Sequence, residues 1–332
     1  MEAIVRGLIK GATRGSLDDA PVAIARGQLF AGLLLPVLLT VAELGQAETH
    51  AVIVNGLGGE SAYSDAFDAA ADTYVEALQS IDEGEGQIVR LQETATREEI
   101  LAAIETRAAV MQASDTIVLI LVGHGTADSL TWRFNISGPD VTTEDLVAAL
   151  NGVNAGRQVV VLATSASGAA LEALTQPGRV VVTATKSGGE VNAVRFPGYL
   201  ADAMASSSAD YDRNEILTVA EAFRFANART EAYYEQQNLL ASEHARLAGD
   251  LASDIPLALL GSLREAKDDP QVAALLDERL TLEDAFKALK ARKSQMPVAD
   301  YYRELEILLI DIARMQQSID AVTGWSDTDA ES

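Results

Sequence analysis

Thr116-Ile-Val-Leu-Ile-Leu-Val122 is an unbroken apolar run that stops on Gly123-His124-Gly125. Val159-Val-Val-Leu162 repeats the pattern and stops on Ala163-Thr164-Ser165-Ala166-Ser167-Gly168. Short runs that are apolar at every position and rich in β-branched residues read as strands buried on both faces of a parallel sheet. The C-terminal ends of such strands emerge on one edge, where α/β proteins place their chemistry, so His124 and Ser165 are expected to become neighbours.

The same alternation extends along the chain. Ala51-Val-Ile-Val54 reads as a first strand ending in Gly56-Leu-Gly-Gly59, and Gln87-Ile-Val-Arg-Leu91 as a second. Arg179-Val-Val-Val-Thr-Ala184 reads as the last core strand, and Trp132-Arg-Phe-Asn-Ile136 as a small edge strand before a Gly138-Pro139 turn. Between them lie helical patterns. Residues 63–79 put Phe67, Ala70, Ala71, Tyr74 and Leu78 on one face, Thr96 with Glu99 and Thr142 with Asp145 form helix starts, and a helix is expected over 167–174. Strands alternating with helices imply right-handed βαβ units and a mainly parallel sheet with helices on both faces, a three-layer α/β sandwich.

A strand ending in His-Gly, followed some forty residues later by a strand ending in Ser165-Ala166-Ser167-Gly168, resembles the legumain branch of the caspase-haemoglobinase cysteine peptidases over about residues 49–243. The resemblance implies that fold, a cleft for a peptide or protein ligand, and a histidine and nucleophile at His124 and Ser165. The chain departs from the family pattern in several places. Ser165 stands where the family carries cysteine, and the chain has no cysteine at all. Ala163 occupies the common acidic position, and Gly58-Gly59 is the nearest counterpart of the family's Asn-Gly.

In such peptidases a histidine deprotonates the thiol and backbone N–H groups hold the oxyanion, here those around Gly125 and Ser165. A thiol titrates near about 8.5 and a serine hydroxyl many units higher, at about 1.4 kcal/mol per unit. A site tuned for thiolate is therefore crippled by serine, and the expectation is an impaired homologue that binds without cleaving. The rival is a Ser165–His124 hydrolase, which needs a carboxylate behind the imidazole. Asp115 and Asp128 are near His124 in sequence only. The plainer alternatives are a strand-end histidine bonded to backbone and a small-residue turn capping a helix. Lys186, Ser187 and Glu190, after the last core strand, are expected to rim the same cleft as pocket residues. Gly56 to Gly59 lacks the later glycine of a dinucleotide fingerprint, so NAD is a weak competitor.

Residues 210–221 form an EF-hand-like pattern. Asp210, Asp212, Asn214, Thr218 and Glu221 occupy loop positions 1, 3, 5, 9 and 12, with the Ile216 carbonyl at 7. This predicts a structural Ca²⁺ site. Glu215 stands at position 6, where glycine supplies a left-handed turn, and a non-glycine there costs about 1 to 2 kcal/mol. The competing reading is an acidic turn capping the helix that follows.

Of 332 residues, 48% are hydrophobic, enough for a substantial core. The formal charge of −24 disfavours nucleic acid and anionic membrane surfaces as partners, because both repel it, and suits cations and basic partners better. Leu29-Phe-Ala-Gly-Leu-Leu-Leu-Pro-Val-Leu-Leu-Thr-Val-Ala42, preceded by Arg26 and followed by Gly45-Gln46-Ala47, reads as a secretory signal too short for a membrane span. The alternative is a buried helix of the mature fold. The signal makes 1–47 an extension with signal peptide and predicts a periplasmic or secreted chain starting near Glu48, with no stable membrane span. Residues 48–250 are then the α/β domain and 256–322 a helical hairpin turning near Met296-Pro297, followed by a disordered tail at 323–332. Leu275, Leu282, Phe286 and Leu289 line one helix, and Tyr302, Leu305, Leu309, Ile312 and Ile319 the other. That seam serves either intramolecular packing or a homodimer through these helices. A third functional class follows from it, a structural envelope scaffold.

Overall fold

The computed structural model describes residues 47–324 apart from positions 83, 85, 129 and 130. The expected signal segment, through residue 46, and the expected disordered tail from 325 on lie outside the described residues, while Thr323 ends a helix that Gly324 caps. The first strand, β1 (Thr49–Asn55), leads through α1 (Ser61–Ile81) to β2 (Ile88–Leu91), and α2 (Arg97–Ala108) leads to β3 (Thr116–Gly123). Three short strands follow, β4 (Gly125–Ala127), β5 (Trp132–Phe134) and β6 (Val141–Thr142). Next come α3 (Thr143–Asn151), β7 (Arg157–Thr164), α4 (Leu171–Leu174), β8 (Arg179–Thr183) and α5 (Phe196–Met204). The chain continues with β9 (Ile216–Thr218), α6 (Val219–Gln236), β10 (Arg246–Ala248) and β11 (Pro256–Leu259). It ends with α7 (Gly261–Glu265), α8 (Pro270–Ala291) and α9 (Val298–Thr323).

The main sheet has the order β10-β8-β7-β3-β1-β2. Its five strands from β8 to β2 are parallel, and β10 joins antiparallel to β8. Every residue of β3 is buried, which is why its sequence is a continuous apolar run. Side chains alternate between faces, so Val118, Ile120 and Val122 pack with α1, α5 and α6 through Tyr74, Phe196 and Phe225. Ile117, Leu119 and Leu121 face the other way and pack with α2 and α3 through Ile100, Ile104, Leu146 and Leu150. Helices thus cover both faces, a three-layer α/β sandwich.

Both anticipated helix starts are capping boxes: Thr96 and Glu99 open α2, and Thr142 and Asp145 open α3. Arg97 reaches across from α2 to the Asp145 carboxylate, which that guanidinium holds down at about 2.

Several expectations need correction. The 132–136 segment is no edge of the main sheet: β5 sits in a separate antiparallel sheet with β4 and β6, and Trp132 and Phe134 are fully buried. The helix expected over 167–174 does form, as a 3-10 turn, Ser167–Ala170, running directly into one α turn, α4. Helical texture does not begin at Pro256, because β11 pairs with β9. The hairpin does form, with Pro297 at the N-cap of α9, and Ile319 is buried as expected, but two of the other seam residues are not. Tyr301 and Ile319 are the buried residues of α9, while Tyr302 and Leu309 are about half exposed, at 55% and 49%. Leu259, Leu263, Val272 and Ile319 form a small core joining the hairpin to β11 and α7.

Candidate active site

The β3–β7 register ends on Gly123 opposite Thr164, so the next residue on each strand, His124 and Ser165, leaves the sheet at adjacent positions. Gly125 follows closely against this turn: a Cβ there would lie 2.5 Å from the Ser165 carbonyl oxygen and 2.6 Å from Trp132 Nε1. The backbone of Gly125 therefore runs directly against the Ser165 carbonyl. The Ser165 carbonyl already accepts from Trp132 Nε1 at 3.3 Å and from Thr164 Oγ1 at 3.1 Å.

Ser165 itself is buried, with 2% of its surface exposed. Ala166 takes a left-handed conformation, φ 56°, and its N–H donates to the Glu190 carbonyl at 2.8 Å. A non-glycine residue in that region costs on the order of 1 kcal/mol and marks a sharply turned strand exit. Ser167 is consumed by structure. Its hydroxyl donates to the Thr164 carbonyl at 2.8 Å, accepts from the Thr185 N–H at 3.2 Å and lies 3.2 Å from Thr185 Oγ1.

The His124 ring packs edge-on against two aromatic rings of α1, Tyr63 at 4.9 Å and Phe67 at 5.3 Å between centroids. This aromatic wall comes from residues some sixty positions earlier in the chain. Asp115 sits at the other end of β3, where its carboxylate accepts from the N–H groups of Glu48 and Gln112. Asp128 pairs with Arg133 at 2.8 Å and caps the Thr131 N–H.

A carboxylate–imidazole couple does stand on this edge, on a different histidine. Glu190 Oε1 is 2.5 Å from His244 Nδ1, and Glu190 Oε2 accepts from the N–H groups of Lys186 (2.9 Å) and His244 (3.1 Å). Lys186 Nζ completes the group at 3.4 Å from Glu190 Oε1. Burial opposes the Glu190 charge, but the Lys186 N–H and the His244 contacts outweigh it and hold the carboxyl below its ordinary value. An ionised carboxylate has no proton to give, so Nδ1 is the donor in this contact. Two of the expected pocket residues are thus joined to each other. Ser187 is not part of this pair; its Oγ accepts from the Gly189 N–H at 3.3 Å. Gly168 lets this loop close on the 3-10 turn, since a Cβ there would come within 2.2 Å of Lys186 C and Ser187 N.

Next to His244, Glu243 is buried and accepts from the Arg195 and Phe196 N–H groups at the start of α5, and from the Tyr234 hydroxyl at 3.0 Å. Burial raises its pKa despite these bonds. No sequence pattern pointed to His244, because its partner is 54 positions away.

The acidic loop is a second cluster. Asp210 accepts from the Asn214 N–H at 3.2 Å and the Glu215 N–H at 2.8 Å, and Asn214 Oδ1 accepts from the Ile216 N–H at 2.7 Å. Thr218 and Glu221 form the capping box of α6. Carboxylate oxygens of Asp210, Asp212 and Glu221 lie within 4.8 Å of one another. Loss of solvent, then the charges of Glu221 and Asp210, push Asp212 up to about 6. Glu215 adopts the left-handed conformation that position 6 needs, at φ 60°. Its carboxylate is what recommends it over glycine: it caps α7, accepting from Ser262 N–H (3.0 Å), Ser262 Oγ (2.8 Å) and Leu263 N–H (2.8 Å).

A cavity of about 320 Å³ lies elsewhere, at the opposite edge of the sheet, lined by Leu150, Asn151, Gln158 and Gly178. No helix among the described residues is long and apolar enough to cross a membrane. Compared with known proteins, the chain matches no protein-family model and no curated sequence.

Proposed function

We propose that the chain is an exported, legumain-like caspase-fold protein whose cleft at the C-terminal sheet edge binds a peptide or protein without cleaving it. The observation that carries this reading is the state of Ser165. It follows the strand position paired with His124's, yet is 2% exposed beside a carbonyl committed to Trp132. Its hydroxyl is also a far weaker nucleophile than the family's thiol. The His124 ring, packed on Tyr63 and Phe67, acts as a wall of the cleft rather than as a base. Lys186, Ser187 and Glu190 form its polar rim, with His244.

The loop at 210–221 holds Ca²⁺ as a structural ion, through Asp210, Asp212, Asn214, the Ile216 carbonyl, Thr218 and Glu221. Crowding of three carboxylates supports this assignment, since a cation offsets the desolvation, and then the repulsion from Glu221 and Asp210, that raise Asp212. Weak affinity suffices outside a cell, in the 10⁻⁴ to 10⁻³ M range of about extracellular modules.

One observation favours the rival, a serine hydrolase: the Glu190–His244 couple supplies an oriented imidazole on the same edge. A fluorophosphonate probe separates the two readings. The chain from Glu48 onward is treated with Ca²⁺ present, and any adduct is located by mass spectrometry. The binding reading expects no adduct at Ser165. A Ser165 adduct absent from Ser165→Ala, and lost in His124→Ala or His244→Ala, overturns it.

A further inference from the structure

We propose that cleavage between Ala47 and Glu48 creates a structural ion pair, in which the new α-ammonium of Glu48 binds the buried carboxylate of Asp115. The inference rests on the exported reading and adds to it a cleavage position and a bond. Gly45 and Ala47 are small residues at the spacing a signal-peptide cleavage site requires. Glu48, directly after them, is held through both of its main-chain polar atoms. Its N–H donates to Asp115 Oδ1 at 3.0 Å, and its carbonyl accepts from the Thr116 N–H at 2.9 Å, next to the first β1–β3 pair, Thr49 with Thr116.

Asp115 carries the inference. It is only 4% exposed, and an aspartate is almost never buried to that degree unless it is paired. Yet every group that hydrogen-bonds to its carboxylate is neutral: the N–H groups of Glu48 and Gln112 (2.6 Å) and the Ser114 hydroxyl at 3.3 Å. The charged groups around this corner are engaged elsewhere. Arg157 Nη2 donates to the Ser114 carbonyl at 3.5 Å, His50 Nε2 faces Glu48 Oε2 at 3.4 Å, and Asp82 accepts from the Thr49 N–H at 3.0 Å. Hydrolysis of the Ala47–Glu48 amide supplies the missing cation. Water adds to the Ala47 carbonyl carbon and the C–N bond breaks. The water oxygen stays on Ala47 as a carboxylate, and both water hydrogens end on the Glu48 nitrogen, which becomes an ammonium. Its bond to Asp115 then joins opposite charges, and such hydrogen bonds are about twice as strong as neutral ones. Residues 47 and 48 are exposed, so the ammonium keeps water on the side away from Asp115 and loses little hydration. The start of β1 is thus fastened to β3 most firmly after the leader has gone.

To test this, the full chain is expressed in a secreting host and the first residue of the exported protein is read by mass spectrometry; Glu48 is expected. Chains beginning at Glu48 and at Gly45 are then released from a cleavable fusion and melted, each with and without Asp115→Asn. The Glu48 chain should melt about 2 to 4 °C above the Gly45 chain, and Asp115→Asn should bring the two together. Comparing the two starts cancels whatever Asp115→Asn does to the fold by itself. A pH series needs no variant. A free α-amino group titrates near about 8, and pairing with a carboxylate raises that value. The added stability is therefore present at about pH 7 and lost as pH rises through the folded-state value, so the gap should close by about pH 10. His50, Asp82 and Arg157 are common to both chains and drop out of the difference. An uncut chain retained in the cell contradicts the exported reading and this inference with it. An exported chain that begins elsewhere, equal melting of the two starts, or a gap that survives Asp115→Asn or about pH 10 overturns this inference and leaves the exported reading standing.

Discussion

The sheet edge at Ser165 and the acidic loop at 210–221 both crowd polar groups into a small volume, and they resolve the crowding in opposite ways. At the edge, backbone and hydroxyl groups satisfy one another: Thr164, Ser167 and Thr185 close a ring of hydrogen bonds, and Glu190 is held by His244 and Lys186. In the loop, three carboxylates face each other and the cost remains as a raised Asp212. The first arrangement is complete without a ligand. The second leaves negative charge that the proposed cation would offset.

The steepest way to break this contrast is at the edge. Gly168→Ala sets a Cβ against main-chain atoms of Lys186 and Ser187, and overpacking of that kind costs about 3 kcal/mol, read as a lower urea midpoint. An unchanged midpoint would mean the edge is looser than its bonding suggests. In the loop, about 10 mM Ca²⁺ should stabilise the chain by about 1.4 to 2.7 kcal/mol, seen as a rise in Tm that Asp210→Ala abolishes.

A pH series sharpens the comparison with a smaller effect. The folded state holds a proton on Asp212 up to about 6, whereas an ordinary aspartate loses it near 3.8. The native state therefore binds more protons between those values, and without Ca²⁺ its stability should fall as pH rises from about 4 to 6. Asp212→Asn should flatten that slope, and Ca²⁺ should bind more weakly below the upper value. Smallest is Glu215→Gly. Relief of left-handed strain, about 1 to 2 kcal/mol, is offset by the lost cap on α7, worth about 1 kcal/mol, so the net shift should be under about 1 kcal/mol. Glu215→Ala loses the cap and keeps the strain, and should be the less stable of the two.

The legible parts of the molecule were those whose signal is local. Full burial of β3 and β7 makes them continuous apolar runs, and the Thr96–Glu99 and Thr142–Asp145 boxes close within four residues. Arg246-Leu-Ala248 is too short to show a period, and its role comes from pairing with β8 more than sixty positions away. His244 was invisible for the same reason. In α9 the apolar residues outnumber those that one seam needs, so periodicity selects Ile319 together with Tyr302 and Leu309, while packing buries Ile319 and Tyr301. Glu215 looked like a defect in the loop because the helix it caps lies 46 residues on.

Whether the cleft binds without cutting can be decided with Ser165→Cys. It restores the thiol that the resembled family carries, in a chain with no other cysteine. The rate of alkylation by iodoacetamide is measured against pH, alone and with His124→Ala. Slow alkylation that His124→Ala leaves unchanged is the expected result, since the side chain is buried and that imidazole packs on Tyr63 and Phe67. Rapid alkylation near neutral pH, lost with His124→Ala, would contradict it and reveal a working thiolate–imidazole geometry.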